Sequence, residues 1–107
     1  MKVFKYPLLT QDRQVIELPE GATILHIGDQ VETICVWAMV DPVATKKCYE
    51  VHIAGTGHLL PDDLEGFDFL GTTIQKFLAQ SRIAGPDGRL PPPRVKTLVW
   101  HVWGRWV

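Results

Sequence analysis

Cysteine is scarce. Cys35 and Cys48 are the only two in 107 residues, so one disulfide at most can form and a disulfide-stapled scaffold is excluded. Both lie in apolar, strand-like runs, where a free cysteine behaves as a small buried hydrophobe, and both are read as reduced. Serine is scarcer still: Ser81 stands alone, with no nucleophile-elbow sequence around it. No apolar run approaches the roughly 18 residues of a membrane span. Pro7 and the polar Thr10-Gln11-Asp12-Arg13 interrupt any signal-peptide core behind Lys2 and Lys5. The expected location is therefore the cytoplasm, with no membrane contact. Charge of one sign is also lacking, and a net charge of −1 argues against a general nucleic-acid binder.

What is present is a series of short β-rich runs punctuated by Gly, Pro and Asp. Lys2 to Tyr6 alternates. Gln14 to Leu18 alternates again, with Ile16 and Leu18 opposite Glu17, and Pro19-Glu20-Gly21 then reads as a tight turn. Ala22 to Ile27 resumes as a strand, with Leu25 and Ile27 facing away from Ile24 and His26, and Gly28-Asp29 ends it. Thr33 to Val40 is apolar on both faces, which marks a strand central in a sheet, in a sandwich or under a partner. Cys48 to Ala54 places Tyr49, Val51 and Ile53 inward and Glu50 and His52 outward, and its spacing from Asp41 suits a hairpin with the preceding strand.

Phe67 to Gln75 reads as a strand followed by a turn or two of helix. Thr72 with Gln75 resembles a capping box, and Ile74, Phe77 and Leu78 have helical spacing. Residues 81–94 form an irregular loop with a stiff triple-proline exit, inside a Pro/Gly-rich stretch at about 76–94. Lys96 to Trp103 closes the chain as a strand. These runs predict one compact all-β domain over residues 1–107. It would have six or seven mostly antiparallel strands in a small sandwich or barrel, with at most one short helix.

Catalysis is poorly supported, and the chain is expected not to be an enzyme. Cys35 has no base near it in sequence, and Asp62, Asp63 and Glu65 read as a solvated acidic turn. His52, His58 and Asp62 do not have the paired short spacing of a structural metal site, so no metal or other cofactor is expected. Gly55-Thr56-Gly57-His58 follows a strand, and consecutive amides there can cradle a phosphate. Residues 1–81 carry −5 and residues 82–107 carry +4, so the C-terminal arginines, Arg94 and Arg105 among them, are candidates for binding an anion. Trp100, Trp103 and Trp106, with Trp37, exceed what one core face needs. They suggest a subunit interface or a stacking platform.

Several segments agree in order with one family. Lys5-Tyr6-Pro7, Asp12 to Ala22, Trp37-Ala38-Met39-Val40-Asp41, Gly55-Thr56-Gly57-His58 and Leu98-Val99-Trp100-His101-Val102 together resemble a widespread family of small bacteriophage and prophage proteins. The insertion around residues 76–94 and the Trp-Gly-Arg-Trp end depart from its pattern. The resemblance implies a non-catalytic accessory protein of the bacterial host cytoplasm. By analogy with small phage sponges, it implies a homo-oligomer that binds a nucleotide-like anion such as a cyclic-nucleotide signal of antiviral defence. Gly55, Thr56, Gly57 or His58 would then face phosphates. The alternative is an inhibitor or adaptor that docks on a host protein through its Trp-rich edge.

Overall fold

The alternating runs become strands because each has one face to bury. In the computed structural model, which describes residues 1–80 and 82–107, seven strands form. They are β1 (Lys2–Pro7), β2 (Arg13–Pro19), β3 (Thr23–Gln30), β4 (Thr33–Val40), β5 (Lys46–Gly55), β6 (Asp68–Ala79) and β7 (Arg94–Trp106). Ser81, the lone serine, lies outside the described residues. Every pairing is antiparallel, in a three-stranded sheet ordered β1-β4-β3 and a four-stranded sheet ordered β2-β5-β7-β6. The expected all-β architecture is the one found.

β4 is the central strand of the smaller sheet, as its two apolar faces require. Ile34, Val36, Ala38 and Val40 are almost wholly buried. They meet Leu18 from β2, Ile27 from β3, Tyr49, Val51 and Ile53 from β5, and Val102 from β7 in one core between the sheets. β7 comes close to β5 at Gly104. A Cβ there would sit 2.6 Å from the Tyr49 ring, so only glycine fits between that ring and the strand.

Several sequence-based expectations are corrected. β4 and β5 do not form a hairpin: they lie in different sheets, and residues 41–45 carry the chain from one layer to the other. β3 continues past Gly28-Asp29 to Gln30, and a bulge between Ile24 and His26 breaks its alternation, so Ile24 and Ile27 both turn to the core. Cys48 is exposed, and only Cys35 is buried. His52 is buried on the face expected to be polar. No helix follows Gln75: β6 runs on to Ala79 because β7 pairs with it all the way out, Ile74↔Val99 to Ala79↔Arg94. Among the described residues the one helical turn is a 3-10 turn at Asp62–Gly66, with no buried residue, in agreement with the solvated acidic turn expected there.

β5 ends at Gly55, opposite Trp100. Beyond that point β7 has only β6 beside it in the sheet, and six more residue pairs run on for about 20 Å at ordinary strand rise. The inner pairs are held to the end of β3, where the Lys76 N–H donates to Asp29 Oδ2 at 3.3 Å and Gln75 Nε2 to the Glu32 carbonyl at 2.7 Å, and the outer pairs project as a two-stranded arm. The molecule measures 61 × 33 × 16 Å, and its radius of gyration is 17.5 Å. About 13 Å is usual for a globular chain of this size, and the arm accounts for the excess.

Candidate ligand-binding site

Each face of the arm follows from strand alternation. Residues paired across β6 and β7 share a face. Ala79 with Arg94 and Phe77 with Lys96 therefore lie on one face, and Ile74 with Val99, Lys76 with Thr97 and Leu78 with Val95 lie on the other. On the first face a cleft of about 400 Å³ is lined by Ala79, Gln80, Pro91, Pro92, Arg94 and Lys96. That volume is within the range of pockets that hold small organic ligands. The proline run forms one wall, and Gln80 Nε2 donates to the Pro91 carbonyl at 2.5 Å, fastening the loop to the end of β6. Among the described residues, no carboxylate lies within ion-pair distance of Arg82, Arg89, Arg94 or Lys96. The cleft thus presents two uncompensated cations beside rigid apolar walls.

The glycine loop is built differently. Gly57 has φ +90°, which favours glycine, and the turn brings the His58 ring back over Gly55. The Gly55 N–H donates to His58 Nδ1 at 3.1 Å, the Thr56 N–H to the Val99 carbonyl at 3.3 Å, and the His58 N–H to the Gly55 carbonyl at 3.1 Å. Three of the four loop amides are therefore engaged within the protein. The Thr56 hydroxyl lies 2.9 Å from His101 Nε2, and the Thr72 hydroxyl 2.9 Å from His101 Nδ1. His101 so ties the loop to β6 and β7. Two clefts touch the loop, one of about 190 Å³ against Gly55, Thr56 and His58 and one of about 340 Å³ against His58, His52 and Asp12.

Arg105 is committed elsewhere. Its Nε donates to Glu50 Oε1 at 2.9 Å, and its guanidinium lies over the Phe67 ring, 4.3 Å from the centroid. Arg13 takes the same ring at 4.7 Å and grips both Asp63 oxygens at 3.0 Å. This two-pronged bond holds the Asp63 carboxyl below its ordinary range and the Arg13 guanidinium above its own. Arg13 Nε also donates to His52 Nδ1 at 3.3 Å. Burial, and then the Arg13 charge, push the His52 pKa down. Burial, reinforced by Asp68, pushes the Tyr49 hydroxyl up to about 12. Arg13, Arg105, Glu50 and Asp63, with the Phe67 ring between the two guanidiniums, clamp the 3-10 turn onto the outer face of the four-stranded sheet. They are fifty residues apart in places, and spacing gave no sign of them.

The expected site residues do not converge. Along β7, Arg94 lies six residues from the strand position opposite Gly55 and Arg105 lies five the other way, roughly 36 Å apart in all. The tryptophans are dispersed as well. Trp37 packs by His26 on the smaller sheet, Trp100 faces the core and donates to Gln75, Trp103 lies by Phe69 and His52, and Trp106 meets Tyr49 edge-on. They form no single edge. Lys96 and the prolines were not among the expected site residues. Their signal was the basic C-terminal third, but pairing with β6 was needed to place them.

Comparison with known proteins adds a family. No curated protein and no solved structure matches the chain. A family model described as a domain of unknown function, DUF7352, matches residues 1–79. With that match running from β1 to the last residue of β6, the chain belongs to the DUF7352 family.

Proposed function

We propose that the chain is a non-catalytic binding protein for a small anionic, nucleotide-like ligand, held on the arm by Arg94 and Lys96. The observation that supports this reading is the arm cleft, with two cations that lack carboxylate partners beside the flat walls of Pro91 and Pro92. Arginine binds phosphate oxygens two at a time, lysine adds a point charge, and proline rings offer apolar surface to a planar base. This moves the expected contacts away from the glycine loop, whose amides are largely occupied, and from Arg105, which serves the Glu50 clamp. The resemblance to small phage proteins makes cyclic nucleotides of host defence the class to test first.

Isothermal titration of the protein with a cyclic dinucleotide tests the reading. Binding is expected, and Arg94→Ala or Lys96→Ala should weaken it by about 1.5–3 kcal/mol, the usual worth of a charged hydrogen bond. Absence of binding to cyclic dinucleotides and related nucleotides contradicts it. So does binding by both variants that is undiminished from the wild type.

A further inference from the structure

The other face of the arm carries a pattern that is its own complement. From the body outward, the residue pairs on the outer face of β6 and β7 are Phe69 with Trp103, Thr72 with His101, Ile74 with Val99, Lys76 with Thr97, and Leu78 with Val95. The rows read apolar, polar, apolar, polar, apolar, symmetric about Ile74 and Val99. The apolar rows are open to solvent: Phe69 is 57% exposed, Ile74 51%, Leu78 66% and Val95 64%. A two-stranded ribbon with uncovered apolar rows is marginal alone in water and marks a surface meant to be covered.

We infer that a second copy of this chain covers it, in a two-fold dimer packed face to face and antiparallel about Val99. A two-fold axis places each surface on itself. Val95 then lies on Trp103 and Leu78 on Phe69 of the second copy, polar rows meet polar rows, and Val99 meets its own counterpart. The contact runs roughly 26 Å from Trp103 to Val95. Charge selects the same occupant. Residues 76–96 carry five Lys/Arg against Asp87 alone, net +4, so with the chain at −1 the remainder carries −5. In the antiparallel arrangement the arm tip, with Arg82 and Arg89, passes beyond Trp103 of the second copy. It arrives at the acidic 3-10 turn, where Asp62 and Glu65 have no cation within ion-pair distance among the described residues. Basic tip meets acidic turn twice, once at each end.

Analytical ultracentrifugation of the full chain should show a dimer at micromolar concentration, and a monomer there overturns the inference. Leu78→Glu combined with Val95→Glu should give monomers, and a dimer that survives both places the interface elsewhere. If that variant loses its β-sheet circular dichroism, cross-linking decides instead. Val99→Cys in a Cys48→Ser background should form a disulfide dimer on oxidation, and failure to cross-link rules out the axis. Arg82→Glu with Arg89→Glu should weaken the dimer about tenfold or more. Adding Asp62→Lys with Glu65→Lys should restore it, and no restoration refutes the tip contact. Arg94 and Lys96 lie on the opposite face, so replacing them should abolish ligand binding and leave the dimer intact.

Discussion

His52 shows how one side chain comes to depend on a segment folded over it. It sits on the outer face of β5, where Arg13 donates to its Nδ1, so the neutral ring is the form that fits. Its folded pKa lies below the ordinary value of 6.5. The unfolded chain therefore takes up a proton first as pH falls, and stability present above about 6.5 is lost as pH drops toward the lower folded value. Asp63 has the same sign at lower pH: its depressed pKa means that its contribution holds above the ordinary carboxylate range and disappears as the carboxyl is protonated. Thermal melts of the wild type should show a falling midpoint between pH 7 and 5, and His52→Gln should flatten that interval. A second residue-scale prediction concerns Gly104. Its backbone needs no special conformation, but a methyl group there collides with the Tyr49 ring. Gly104→Ala should cost about 1–3 kcal/mol in urea unfolding, as overpacked cores do.

At the scale of elements, strand phase was readable wherever burial alone set it. Ile16 and Leu18 in β2, the core face of β4, and the inward Tyr49, Val51 and Ile53 in β5 lie as their alternation implies, whereas on the other face of β4 only Cys35 is buried, with Trp37 half-buried and Met39 exposed. The misread stretches are those where a neighbour decides. Ile74, Phe77 and Leu78 have helical spacing, but eleven register pairs with β7 hold them extended. Cys48 and His52 share a face of β5, yet only His52 lies near the Arg13 clamp and is buried. The β3–β4 turn is another local mismatch. Val31 and Glu32 both have positive φ, 50° and 61°, in a two-residue turn that favours Asn-Gly. Val31→Asn with Glu32→Gly should raise stability by roughly 1–2 kcal/mol in denaturant titration. The Glu32 carbonyl that accepts from Gln75 is a backbone group and survives the change.

The whole molecule is a sandwich that holds out a hairpin. The sequence announced the basic third of the chain but not its geometry, because Arg94 and Lys96 become neighbours of Ala79 and Gln80 only through strand pairing. The glycine loop was legible as a loop. Its occupied amides were not, since they depend on the His58 ring folding back and on Val99 of a distant strand. In the function and the dimer proposed here, the arm divides its work by face, with cations and prolines toward a ligand on one side and apolar rows toward a second copy on the other. The measurement that tests this most directly is native mass spectrometry with added cyclic dinucleotide, on the wild type and on Arg94→Glu with Lys96→Glu. The wild type should carry the ligand, and the variant should keep its subunit number but lose the ligand mass. Equal ligand retention by both proteins, or retention by neither, would contradict it.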